Sequence, residues 1–337
     1  VRLTRLACVV LAGGALLAPA ACSSDEPAAA PPQAASESQT QAPPEPTPPP
    51  AHPFTGAATD KRNPVLAVKI ENTAAGKPQM GLKSADIVYV TQVEGGLTRL
   101  IAIYSTRLPK KVGPVRSARI SDLYILSMFG KPALAYSGVQ TKMIPFMQRA
   151  SLFDVSDSAA PGAYQREPGR VAPYNLVASP RKLLAQAPGA TKAKDIGFVF
   201  GDAPEGGTER KTFTVRYPAA RFTFGWSERR KEWLIWQDGK RNMAAEGGQL
   251  GAPTVVIQYV KTTRSQFHDV NGSYTPLLHT VGKGRAIVLR DGKAYQARWS
   301  RPNQRSGTTF TTPDGEPIPF AKGQVWVVLA APKPVQP

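Results

Sequence analysis

Six charged residues in the first half of the chain have the types and spacing to do chemistry: Glu71, Asp86, Glu94, Arg99, Arg116 and Arg119. They stand where apolar runs end. A guanidinium offers a planar fork of donors that grips phosphate or carboxylate through two parallel hydrogen bonds. Arg116 and Arg119 follow Gly113-Pro114 and flank an expected helix start capped near Ser117. Free N–H groups and a partial positive charge suit an anion there. Cations at that end oppose the helix dipole, so these two arginines require a counter-charge. Either a bound phosphate or carboxylate supplies it, or Glu71 and Glu94 do so within a structural network. The sequence leaves both open, and the six residues together form the candidate ligand-binding set.

Catalytic readings are weaker. Glu94 beside Gly95-Gly96, with Asp86 eight residues earlier, offers two carboxylates for acid–base hydrolysis of an envelope glycan. A glutamate next to two glycines is more often a turn residue. Ser179 and Lys182 have serine–lysine spacing, but no Ser-Asp-Asn or Lys-Thr-Gly companion follows. Ser265, His268 and Asp269 lie too close in sequence for the usual triad geometry and precede Asn271-Gly272 in an apparent loop. There is no phosphate-binding glycine loop, dinucleotide fingerprint or zinc-protease motif. The two cysteines, Cys8 and Cys22, both lie near the start, and the histidines are His52, His268 and His279. No metal site, cofactor or cysteine nucleophile is expected, and binding is favoured over catalysis.

Several elements must position these residues. Val65–Ile70, Ile87–Val93 and Leu97–Ser105 are apolar runs of strand length, the last two joined at Glu94-Gly95-Gly96 as a hairpin. Ile120, Leu123, Tyr124, Ser127 and Met128 recur at helical spacing, with Gly130 as a stop. Ser179-Pro180 opens a short helix. From about Thr212 onward strand patterns dominate, with Asp238-Gly239 and Asp291-Gly292 as tight hairpin turns. Trp226, Trp233, Trp236, Trp299 and Trp326 read as core rather than as a stacking platform. The expected class is α+β, with a mixed α/β domain over 54–205 and a mostly antiparallel β domain over 206–330.

The net charge is +18, or +16 without Arg2 and Arg5. Such a balance favours anionic partners. Arg2 and Arg5 precede an apolar stretch, Leu6 to Leu17, too short to span a bilayer comfortably. Ala18-Pro19-Ala20-Ala21-Cys22 then resembles the lipobox of bacterial lipoproteins, with Pro19 where an aliphatic residue is usual. Residues 1–21 are therefore expected to be a signal peptide, with Cys22 lipidated on the outer face of the cytoplasmic membrane. The alternative is ordinary cleavage and secretion. Residues 22–53 are rich in Ala, Pro, Gln, Ser and Glu without apolar periodicity and are expected to be a disordered tether. At ~3.1 Å per residue it could reach roughly 90 Å. An exported protein meets acidic lipid headgroups, anionic wall polymers and envelope proteins, so nucleic acid is not the expected partner.

Blocks along residues 54–330 resemble the uncharacterised lipoprotein family typified by YerB. They include Val68-Lys69-Ile70-Glu71-Asn72, Lys77-Pro78-Gln79-Met80-Gly81-Leu82 and Val93-Glu94-Gly95-Gly96-Leu97-Thr98-Arg99. The most specific is Val112-Gly113-Pro114-Val115-Arg116-Ser117-Ala118-Arg119, and Arg290-Asp291-Gly292-Lys293 resembles a later one. Two positions depart from the family pattern: Tyr174 stands where histidine is usual, and Val90 replaces an acidic residue. The resemblance implies two linked domains and no known activity.

Overall fold

The computed structural model describes residues 50–269 and 271–332. The expected signal peptide, Cys22 and the tether up to residue 49 lie outside the described residues. The first half runs β1 (Leu66–Glu71), β2 (Ile87–Gln92), β3 (Thr98–Tyr104), α1 (Ile120–Leu126), β4 (Ala133–Ala135), α2 (Ile144–Arg149), β5 (Phe153–Asp154), β6 (Tyr164–Arg166), β7 (Leu176–Ala178) and α3 (Pro180–Ala185). The second half begins with β8 (Thr208–Glu209), β9 (Thr212–Tyr217), β10 (Ala220–Ser227), β11 (Glu232–Gln237), β12 (Lys240–Arg241), β13 (Gly251–Ala252) and β14 (Thr254–Tyr259). It ends with β15 (Thr262–His268), β16 (Tyr274–Leu278), β17 (Gly282–Arg290), β18 (Lys293–Arg301), β19 (Thr309–Thr311) and β20 (Val325–Ala330). Short helices and many strands make this an α+β protein.

Strands from both halves share one sheet, ordered β19-β18-β17-β14-β20-β2-β3-β1-β4-β5, with β8 on the edge of β18. The joint is β20, which lies parallel to both β14 and β2. Every residue of β20, Val-Trp-Val-Val-Leu-Ala, is buried. A central strand covered on both faces requires such a continuous apolar run, not an alternating one. A smaller sheet, β12-β11-β10-β9 with β13 paired to β11, covers one face through Phe222, Phe224, Trp233 and Ile235. Opposite residues Val68, Val88, Leu100 and Val328 belong to the same cluster.

The other face carries Ala67, Ile87, Tyr89, Ile101 and Ile103, packed with Ile125, Phe129 and Leu278. Strand alternation continues this face into Lys69 and Glu71 on β1, Thr91 on β2 and Arg99 on β3. Register sets Glu71 and Thr91 on either side of Arg99. One sheet face is thus apolar in the middle and charged at one end, which is where α1 begins.

Several local expectations meet their structures here. Asp238 and Gly239 have φ of 52° and 82°, and Asp291 and Gly292 have 50° and 72°. Positive φ at both central residues is the condition for the tight turn that matches strand twist. They close the β11–β12 and β17–β18 hairpins. Trp233, Trp299 and Trp326 are core, while Trp226 and Trp236 are half-buried. The apparent loop around Ser265 and His268 is instead the end of β15. Its polar sequence, Thr-Thr-Arg-Ser-Gln-Phe-His, carries little apolar alternation because only Phe267 is buried. His52, which composition assigns to the tether, is buried against the body with Phe54, and Phe54 packs edge-on against Phe129.

Candidate functional site

At the charged end of the sheet lies a cleft of about 600 Å³. Arg99, Arg116, Arg119 and Glu94 all line it, together with Val139, Gln140, Met143, Phe267, His268 and Thr275. The second half contributes through the β15–β16 hairpin, which Gln140 ties down by donating to the His268 carbonyl.

Behind the cleft sits a layer of ion pairs. Lys69, fully buried, donates to Asp122 Oδ1 at 2.6 Å and to Thr91 Oγ1 at 3.0 Å. Burial lowers the Lys69 pKa, and Asp122 opposes that shift. The other Asp122 oxygen accepts from the Arg119 backbone N–H at 2.7 Å. Asp122 therefore caps α1, which starts at Ile120 with Arg119 as its N-cap residue. The expected cap near Ser117 is corrected: a carboxylate one turn into the helix does that work. Seven residues make a small dipole, and this free N–H is already occupied. The arginines need another explanation than the helix end.

The three arginines are held differently. Arg119 engages all three of its nitrogens: Nε and Nη2 reach the two Glu94 oxygens at 2.6 and 2.7 Å. Its Nη1 donates to the Ser117 and Ala118 carbonyls. Thr275 of β16 also donates its hydroxyl to Glu94, joining the two halves. Burial pushes the Glu94 carboxyl up, but the Arg119 bonds and charge and the Thr275 hydroxyl outweigh it and bring it down to about 2. Arg116 uses only Nε, at 2.6 Å from Glu71 Oε2, and its guanidinium lies 5.4 Å from the Tyr174 ring centroid. Its terminal nitrogens have no protein partner among the described residues. Arg99 donates one long bond, 3.4 Å, to the Ser117 carbonyl and makes no carboxylate bridge among the described residues. Burial and then the Arg119 charge lower the Arg99 pKa to about 10, against the pull of Glu71 and Glu94.

Glu71 itself is anchored from behind. Its Oε1 accepts from the Asn72 and Thr73 N–H groups at 2.8 and 2.9 Å. Burial raises its pKa, yet the Thr73 N–H, Arg99, Arg116 and the Asn72 N–H together hold it below the usual range. Gly76 packs against this side chain so closely that a Cβ there would lie 2.4 Å from Glu71 Cγ.

Five of the six candidate residues thus meet in one place, and Asp86 does not. Asp86 precedes β2 and Glu94 follows it. Eight residues of extended chain separate them by roughly 26 Å, far beyond the roughly 5–9.5 Å a glycosidase pair needs. The paired-carboxylate hydrolase reading is overturned. Asp86 instead accepts from the Ser105 and Thr106 N–H groups at 2.5 and 2.9 Å and from the Thr106 hydroxyl, fastening the end of β3. Burial pushes its carboxyl up to about 6 against those donors. The other catalytic candidates dissolve as well. Asp269 caps its own loop, accepting from Asn271 and Ser273 N–H, while His268 Nδ1 meets the Asp269 carbonyl rather than its carboxylate. Ser179 is the N-cap residue of α3, and Lys182 reaches the Gly162 carbonyl instead of Ser179.

Sequence reasoning missed Lys69, Asp122, Tyr174 and Thr275 as parts of this arrangement. Lys69 had a signal: a lone lysine amid Leu-Ala-Val-Lys-Ile-Glu of β1, all buried. Tyr174 had one too, as the departure from a family histidine.

Family comparisons agree with this architecture. The model described as "Protein of unknown function (DUF3048) N-terminal domain" matches residues 54–194, and that of the C-terminal domain matches 213–327. The lipoprotein YerB of Bacillus subtilis (strain 168) is 27% identical over 299 residues, covering 82% of this chain and 84% of that protein. The crystal structure of YerB protein from Bacillus subtilis gives a TM-score of 0.70 at 21% identity, over 82% of this chain and 95% of that one. At that identity the likeness establishes a shared fold.

Proposed function

Because the chain belongs to the DUF3048 family of YerB-type lipoproteins, we propose that it is a tethered extracytoplasmic binding protein whose arginine cleft takes up an anionic envelope or cell-wall component. The observation that carries this reading is unspent donor capacity. Arg119 spends all three of its nitrogens on Glu94 and two carbonyls, but among the described residues Arg99 has no carboxylate bridge and Arg116 keeps its terminal nitrogens without a protein partner. Among the described residues none of these spare nitrogens is a sealed, unsatisfied donor, so they stay open to whatever enters the cleft. The cleft lies within the roughly 300–1,000 Å³ range of small-ligand sites, and its hydroxyl–carboxylate pair, Thr275 with Glu94, is a poor nucleophile–base couple because Arg119 holds Glu94 at about 2. It acts by binding.

The address follows from the lipobox-like Ala20-Ala21-Cys22 and the basic body. Lipid on Cys22 anchors the chain to the outer face of the cytoplasmic membrane; secretion is the alternative if cleavage precedes the cysteine differently. An envelope protein can supply the anionic group as readily as a polymer.

Cosedimentation with purified envelopes, walls and membranes together, tests the reading. The native protein is expected to sediment, and the Arg99→Gln/Arg116→Gln double variant to stay largely in solution at equal ionic strength. Lys240→Gln/Arg241→Gln, on the exposed β12 edge, removes the same charge elsewhere. Equal retention of both double variants would reduce the effect to bulk charge and overturn the assignment.

A further inference from the structure

The makeup of the cleft narrows the ligand further. We propose that it accepts a phosphodiester carrying hydrocarbon substituents, an amphiphile with a single negative charge; this rests on the anion-binding reading of the same cleft. The first argument is charge. Arg99, Arg116 and Arg119 are opposed by Glu71 and Glu94, both held below the usual carboxylate range. One positive charge is left over. The Asp269 carboxylate also borders the cleft and keeps its charge while its Oδ1 accepts from the Asn271 and Ser273 N–H groups, which further disfavours a multiply charged ligand. A singly charged ligand neutralises the surplus. A polyanion such as pyrophosphate would bring uncompensated negative charge beside Glu94, at a site shielded from solvent.

The second argument is the apolar lining. Val93, Leu97, Val139, Met143 and Phe267 border the same space as the guanidiniums. Leu97, at the tip of the β2–β3 hairpin, is 40% exposed although Val93 and Thr98 beside it are buried. Val93, Met143 and Phe267 are already buried, but an inorganic anion would fill the donors and leave Leu97 and Val139 wet. A hydrocarbon joined to the anion covers them, gaining about fourfold in affinity for each methylene buried.

The third argument is geometry. Arg99 projects from β3, and Arg116 from the segment before α1. A carboxylate is satisfied by one guanidinium fork. The two anionic oxygens of a tetrahedral diester diverge, so two guanidiniums can each take one while both ester arms remain free to lie on the apolar side.

Dimethyl and dibutyl phosphate test this with the full chain, because the two carry the same charge and headgroup and differ only in methylenes. Titration calorimetry or ligand-observed NMR is expected to give dibutyl phosphate at least tenfold tighter binding, with valerate and pyrophosphate both weaker than dibutyl phosphate. Leu97→Ser/Val139→Ser is expected to abolish the butyl advantage and leave dimethyl phosphate unchanged; both positions are partly exposed. Arg99→Gln is expected to weaken both diesters alike. Equal affinity for the two diesters, with Arg99 dependence intact, overturns the amphiphile and leaves the anion site standing. Valerate or pyrophosphate binding as tightly as dibutyl phosphate also overturns it. Binding of any of them that ignores Arg99 overturns the anion site as well.

Discussion

Replacing Arg119 by glutamine and Arg99 by glutamine, one at a time, separates the structural arginine from the open one. Arg119 has a side chain 15% exposed and Glu94 one 7% exposed, so their bidentate pair is largely shielded from water. The folded state holds the Glu94 carboxyl at about 2 against an ordinary 4.5. If that shift were lost with Arg119, each unit being 1.36 kcal/mol, the cost near neutral pH would be about 3 kcal/mol. Breaking a buried pair costs roughly 3–5 kcal/mol, so the lower end applies here. At roughly 2–4 °C per kcal/mol for a domain of this order, melting should fall by about 6–12 °C. Arg99 is different. Its charge is opposed by Arg119 and Arg116 and favoured by Glu71 and Glu94. These contributions oppose each other, and Arg99→Gln should move stability by no more than about 1 kcal/mol. Differential scanning calorimetry at pH 7 reads both variants. An Arg99→Gln loss as large as that of Arg119→Gln would mean that Arg99 is structural, and the argument from spare donors would fail.

Trp326→Ala empties the centre of β20 and is expected to cost roughly 3–5 kcal/mol, lowering near-UV circular dichroism from both halves in one transition; separate transitions would contradict the shared sheet. His52, buried and held neutral, has its pKa lowered to about 4 by burial and by the Arg62 charge. Its unfolded value is higher, so its contribution is full above about pH 6.5 and is lost as pH falls toward 4. Thermal melts between pH 7 and 5 should show that loss, and His52→Asn, which keeps an acceptor for the Phe54 N–H, should flatten it. Tyr174→Ala removes a cation–π contact to Arg116 worth about 0.5–1 kcal/mol. Tyr174→Phe keeps the ring and should retain that stability in a urea melt. Gly239→Val places a β-branched residue at φ 82° and is expected to destabilise the β11–β12 turn by more than about 1 kcal/mol.

Much of this fold was legible because its signals are local. The Asp-Gly turns state their own dihedral requirement, and the strand runs at Leu66–Glu71 and Ile87–Gln92 are mostly apolar, with Lys69, Glu71, Thr91 and Gln92 as the polar positions. The merger of the halves was not legible. Val325–Ala330 reads as a strand, but only its continuous burial shows that it is central and parallel to β2. Polar hairpins hide for the opposite reason: β15 buries one residue of seven, so periodicity has little to detect. At the site, family-block residues Glu71, Glu94, Arg99, Arg116 and Arg119 were readable as a charged cluster. Which arginine Glu94 takes was not, since Arg119 lies 25 residues away and only the fold brings it, and not Arg99, onto that carboxylate. Asp86 and Glu94 looked like a pair only because sequence distance ignores that a strand is straight.

The central claim is that Arg99 and Arg116 hold an anion between them. A crystal structure of the protein soaked in perrhenate, a tetrahedral monoanion dense enough to locate without ambiguity, tests it most directly. The account predicts perrhenate in the cleft, within hydrogen-bond reach of both guanidiniums, with the Arg119–Glu94 pair intact. An empty cleft at saturating perrhenate, with Arg99 turned onto a carboxylate of its own, would contradict it.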